Sequence, residues 1–241
     1  MAERLAAKPA PERLPVELAS ARDSPAGSTL ASAICDRIRA DVLTGRRKPD
    51  SKIRLEELKA EFGVSWSPIR EAVSRLVAEG LIMLEEQRGY RVAPASPADL
   101  AEVLRLRMML ESNALRMSIA KGDDAWEAEV LAAHHRLTKF ESRRGDSIET
   151  EHWETWHRTF HDALIRACES PILLQFCRML HDMNDRYRRI FLSAHEFDRD
   201  VASEHRAITE ATLARDAATA CALLESHIER TGRNILSSMR E

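Results

Sequence analysis

Phe62-Gly63-Val64-Ser65-Trp66-Ser67-Pro68-Ile69-Arg70-Glu71-Ala72-Val73-Ser74-Arg75-Leu76-Val77-Ala78-Glu79-Gly80 is the stretch whose reading decides the fold. Ile69, Ala72, Val73, Leu76 and Val77 recur at i, i+3, i+4, i+7 and i+8, the stripe of a helix with one buried face, and Arg70, Ser74 and Arg75 fall on the other. Ser67 is the expected cap and Pro68 sits in the first turn, where a missing N–H costs nothing. Gly80 closes the helix.

Working outward, Leu30, Ile34, Ile38 and Val42 stripe an earlier helix that Gly45 ends, and Leu58 and Phe62 mark the buried side of a short helix from about Arg54 to Phe62. Gly63 to Trp66 is the turn between the two later helices. Downstream, Leu81–Leu84 and Tyr90–Val92 are short apolar strands around Glu85-Glu86-Gln87-Arg88-Gly89, a hairpin with a glycine at its turn. Three helices followed by a two-stranded wing is the winged helix-turn-helix order.

The remainder contains no strand signal. Amphipathic stretches at roughly 98–121, 124–142, 149–168, 171–192, 199–214 and 216–238 are separated by Gly122-Asp123, Gly145-Asp146, Ser170-Pro171 and Arg215-Asp216. Six helices with short connections make an antiparallel bundle, so the fold class is mainly α. The expected organisation is a Pro-rich flexible tail at 1–28, a winged helix at 29–93, a linker at 94–97 and a helical domain at 98–241.

Composition narrows the function classes. The chain has 241 residues, 44% apolar and 31% charged, with a net charge of −3. Twelve basic against ten acidic residues leave +2 in 29–93, while 94–241 carries −5, so the net positive segment coincides with the winged helix. No apolar run is long enough to span a membrane and no signal segment precedes the fold, which points to a cytoplasmic protein. Cys35, Cys168, Cys177 and Cys221 show no C-x-x-C spacing and read as small buried side chains.

His157 and His161 lie four apart on one predicted helix, about 40° apart around its axis, so both imidazoles can face one cavity. His205 and His227 fall on two later helices. Neutral imidazole is the commonest ligand of zinc or nickel, and a bundle core can converge four; an isolated pair at this spacing is more often made of ordinary core or surface histidines. His134, His135, His152, His181 and His195 match no motif and are assigned to surface or packing.

The segment Phe62 to Leu76 followed by Glu79-Gly80-Leu81 resembles the GntR family of bacterial regulators. Leu106-Arg107-Met108-Met109-Leu110-Glu111, Phe160-His161, Glu204-His205-Arg206-Ala207-Ile208 and Ser226-His227-Ile228 resemble that family's FCD ligand-binding domain, in its FadR-like branch. The resemblance implies a ligand-responsive repressor that binds a palindromic duplex operator as a homodimer. It places DNA contacts on Arg54, Ser65, Arg70 and Gly89; Trp66, Ser67, Ser74, Arg75 and Arg88 share the same recognition helix and wing. Trp66 stands where the family usually has Arg, and an indole cannot make the bidentate contact to guanine.

Many FCD domains hold a divalent metal through Asp-x3-His and two later histidines; His161, His205 and His227 match, and His157 stands at the Asp position. The resemblance thus implies a divalent transition metal, zinc or nickel, and exchanging carboxylate for imidazole leaves its direct ligands neutral. Arg107, three and seven residues before Leu110 and Ala114, shares an inward stripe and matches the arginine that contacts ligand in related domains. The expected effector is therefore a small carboxylate bound at the metal and held by Arg107, drawing on the helix that follows the linker; the alternative is that Arg107 forms a structural pair with Glu111.

An enzyme is not expected. A metal-dependent hydrolase with Glu154 or Glu204 as base would be the first rival, but no H-E-x-x-H, nucleophile elbow or phosphate loop is present. An interaction module whose winged helix binds protein is the second.

Overall fold

The computed structural model describes residues 29–141, 147–192 and 200–239. The expected tail at 1–28, the break at Gly145-Asp146 and His195 lie outside the described residues. Two compact units result: residues 29–40 with 51–92, and residues 41–50 with 93–239. The stretch 41–50, expected in the winged helix, thus groups with the second unit.

In the first unit, α1 (Leu30–Leu43, its last turn from Asp41 counted with the second unit), α2 (Leu55–Phe62) and α3 (Trp66–Ala78) precede β2 (Ile82–Glu85) and β3 (Gly89–Val92). Ile34, Ile38, Leu58, Phe62, Ile69, Ala72, Val73 and Leu76 are all buried, as their spacing requires. Arg39 on α1 binds Glu79 at the end of α3 through both Nε (3.0 Å) and Nη2 (2.7 Å), pinning the helices. Gln87 and Gly89 turn the wing with positive φ of 60° and 84°, and glycine takes such a φ without a steric penalty.

Three local readings are corrected. The wing has a third strand, β1 (Lys52–Ile53), antiparallel to β3 with Lys52 opposite Arg91 and Ile53 opposite Tyr90, giving the order β1-β3-β2. Two residues are too short to show alternation. Arg54 consequently sits at the N-cap of α2 rather than within it. The recognition helix starts at Trp66, with extended Ser65 (φ −74°, ψ 173°) at the N-cap, so Ser67 is inside the first turn and Pro68 is its third residue.

The second unit is all helix: α4 (Pro97–Lys121), α5 (Asp124–Glu141), α6 (Ser147–Ile165), a 3-10 turn at 166–168, α7 (Pro171–Leu192), α8 (Val201–Leu213) and α9 (Ala217–Ser238). Capping explains most starts: Ser96 accepts from Asp99 N, Asp123 from Trp126 N, Asp200 from Ser203 N and Asp216 from Thr219 N. Tyr187 on α7 anchors the start of α4, its hydroxyl accepting from Ser96 N (3.1 Å) and donating to Asp99 Oδ2 (2.5 Å). Trp126 Nε1 donates to Ala163 O at 2.8 Å and ties α5 to α6. α4 and α9 approach so closely that a Cβ on Gly232 would lie 2.2 Å from Leu104 Cδ1, so any side chain there would have to displace Leu104. Leu100, Leu115, Leu137, Phe160, Leu164, Ile208 and Leu224 form the apolar core, and the four cysteines are buried and free.

Candidate metal centre and DNA-facing helix

α6 presents His157 and His161 one turn apart, α8 presents His205 and α9 presents His227, and the bundle brings all four together. One ligand atom from each lies within 4.8 Å of every other, and all four side chains are buried. Adjacent ring centroids are 4.6 Å apart for His157 and His161 and 4.8 Å for His205 and His227.

The residues fit a divalent ion. Zn–N bonds of about 2.0–2.1 Å in a tetrahedron separate donors by about 3.4 Å, so small side-chain rotations close the set onto one ion. His157 Nδ1, both nitrogens of His161 and His205 Nε2 are buried without a hydrogen-bond partner. Each orphaned polar atom costs about 1–3 kcal/mol, a cost that coordination removes for one nitrogen of each ring. Burial, reinforced by Arg188 for His157 and by His227 for His161, holds both imidazoles well below the ordinary value of 6.5. They are therefore neutral, the form that ligates.

Two carboxylates stand behind the rings. His205 Nδ1 lies 2.5 Å from Glu141 Oε1, and His227 Nδ1 lies 2.8 Å from Glu204 Oε2, whose other oxygen accepts from Arg230. A carboxylate oxygen accepts from Nδ1, which leaves Nε2 as the nitrogen turned to a ligand. Negative charge thus lies behind the rings, outside the set of donor atoms.

α7 contributes what the sequence reading missed. His181, assigned there to surface or packing, is 3% exposed and its ring is 5.3 Å from that of His161. It shares a buried polar stripe with Asn184, Asp185 and Arg188, at i, i+3, i+4 and i+7. Burial, then the charge of Arg107, holds His181 well below 6.5. Arg188 pairs with Glu154 and with Asp185 (2.9 Å), leaving Nε and Nη1 without partners. Burial would raise Asp185, yet Arg188, His181 and Arg158 hold it at about 2. The signal was the polar periodicity itself, with Ile172 (70%) and Phe176 (49%) exposed on the same helix.

Arg107 is buried, and its fork embraces Glu111 through Nε (2.6 Å) and Nη2 (3.2 Å). Glu154 and Glu204, the two conceivable bases, are both engaged in ion pairs. Of the other histidines, His135 and His152 are exposed, the latter stacked on Phe140, and half-buried His134 packs on Phe160.

In the winged helix, Arg70 and Ser74 project from the exposed face of α3, and Arg70 makes no ion pair among the described residues. Arg75 is exposed but tied to Glu71 (2.5 Å) and Ser32 (3.0 Å). Arg54 binds Glu57 at 3.0 Å, and Arg88 and Gly89 are exposed on the wing. Ser65 and Ser67 are exposed at the start of α3, where Trp66, 37% exposed, holds the ammonium of Lys59 4.9 Å above its ring.

The family described as bacterial regulatory proteins, gntR family, matches residues 30–92, and the FCD domain matches residues 102–230. The chain is 38% identical over 217 residues to the uncharacterized HTH-type transcriptional regulator BphR of Paraburkholderia xenovorans, covering 89% of this chain and 86% of that one. It is 36% identical over 195 residues to the HTH-type transcriptional repressor GlaR of Escherichia coli, covering 79% and 89%. The solved structure of E. coli McbR/YncC shares the fold, with a TM-score of 0.74 at 19% identity over 89% of this chain and 100% of that one.

Proposed function

The chain belongs to the GntR family of bacterial transcription regulators, with an FCD domain behind its winged helix, and on that premise we propose that it is an effector-controlled repressor whose sensor is a metal centre. It binds a palindromic operator as a homodimer in the cytoplasm. His157, His161, His205 and His227 hold zinc or nickel, and a small carboxylate effector bound there modulates DNA affinity. The observation that carries this reading is four buried imidazoles, several with unpartnered nitrogens, in the same chain as a DNA-facing helix.

The bound ion would supply Lewis acidity, and an acid would join the four imidazoles as a further ligand. The chain's own residues orient it: Arg107 shares its guanidinium between Glu111 and the incoming carboxylate, and the stripe of His181, Asn184 and Arg188 offers further donors and an acceptor. Arg70, Ser74 and Arg88 address bases and phosphates, with Arg54, Ser65, Ser67, Arg75 and Gly89 setting the approach of helix and wing. Trp66 meets sugar-phosphate or a thymine methyl rather than guanine.

Two measurements test this reading. Duplex affinity should fall steeply and linearly in log salt, which an interaction module or a hydrolase would not show. Calorimetry with hydroxy, keto and aromatic acids should give tight binding to wild type that is weakened in Arg107→Lys and in metal-stripped protein. Binding that survives both changes, or a preferred effector without an acidic group, refutes the effector site and leaves DNA binding standing.

A further inference from the structure

Glu141 lies on α5. It is 6% exposed, and its Oε2 is buried without a hydrogen-bond partner. Its Oε1 lies across the bundle from His205 Nδ1, at 2.5 Å. Glu204 is differently placed: it lies in the first turn of α8, which favours an acid, and it pairs with Arg230 as well as with His227.

We infer that Glu141, with Glu204, is a positioning residue of the metal centre, fixing the His205 and His227 tautomers and supplying from behind the rings the negative charge that the four neutral donors lack. The inference rests on the metal reading above. Carboxylate behind imidazole raises the basicity of the ligating nitrogen and locks the ring orientation. With His157 where the family has an acid, that charge comes from outside the ligand set. The two carboxylates are unequal: Glu204 also braces α8 to α9 through Arg230, whereas Glu141 pairs with His205 and, among the described residues, with no Lys or Arg. Its outer side borders a cleft of about 290 Å³ lined by His134, Thr138, Ala202 and Arg206, so substitution there leaves the apolar core intact.

The test is a zinc titration of the full chain against a chromogenic chelator, with apo thermal midpoints measured in parallel. Glu141→Ala removes acceptor and charge and should weaken zinc about 10–100-fold, while Glu141→Gln, which keeps an acceptor, should fall between it and wild type. The apo midpoint of Glu141→Gln should equal or exceed that of wild type; Glu204→Gln should lower both affinity and apo midpoint. Zinc affinity of both Glu141 variants within about twofold of wild type overturns the inference while wild type still binds zinc. Wild type that binds no zinc ends the metal reading itself, and this inference with it.

Discussion

The two units of this chain place their polar residues in opposite ways. In the winged helix the interior is apolar, and Arg70, Ser74 and Arg88 lie outside. In the helical unit the interior holds Arg107, Glu111, Glu154, His157, His161, His181, Asn184, Asp185, Arg188, His205 and His227; on the helices and strands of the winged helix the buried charged side chain is Asp41, in the last turn of α1. A surface that meets a polyanion keeps its charges hydrated until contact, whereas a sensor that encloses a small polar guest must bury them beforehand. One substitution should therefore have opposite consequences in the two units.

The largest expected effect exploits that. Arg107→Ala strips Glu111 of its bidentate partner in a buried site and should destabilise the helical unit by about 3–5 kcal/mol. Arg70→Ala removes an exposed side chain and should change stability by less than about 0.5 kcal/mol. Chemical denaturation of both variants measures the contrast, and equal losses would erase it.

Acid should separate the units next. Burial lowers His157, His161 and His181 in the folded chain, so below the ordinary value of 6.5 the unfolded chain takes up protons that the fold refuses. Stability of the metal-free helical unit is thus intact above about pH 6.5 and declines as pH falls, by at most about 1.4 kcal/mol per pH unit for each imidazole. The first unit contains no histidine and should not share this decline. Thermal melts of apo protein between pH 7.5 and 5.5 decide it; a flat profile would place solvent around these rings.

Smaller effects sit on the DNA side. Arg70→Ala should weaken specific duplex binding by about 1–3 kcal/mol and relax preference at one base position, with unchanged affinity removing it from the interface. Trp66→Arg should alter which operator is preferred while moving the thermal midpoint little, because the ring is exposed and its loss opens no cavity. Identical preference in both proteins would count against the contact.

The same contrast explains how much could be read in advance. The stripe from Ile69 to Leu76 and the caps at Ser96 and Asp216 carry period and chemistry together, so the order of helices was legible. Ser65 and Ser67 are both cap-type residues, and only the backbone decides between them. β1 is a two-residue strand defined by its partner, which leaves no trace in a periodicity. Within the bundle, His157 and His161 announce themselves by spacing, but His181 and Arg188 do not. A polar stripe is ordinarily a solvated one, and α7 reverses that because its neighbours are polar too. Arg107 and Glu111, four apart, were equally readable as an effector anchor or as a pair; the structure gives the pair, and the effector role remains the proposal above.

The central claim, that the helical unit senses through a metal held by four imidazoles, is tested most directly by elemental analysis of the full chain purified without a histidine tag and then dialysed against zinc. The account predicts about one transition ion per chain, falling to near zero in His161→Ala with the fold retained. No metal before dialysis and none after it would contradict the account and leave four buried histidines as a polar pocket alone.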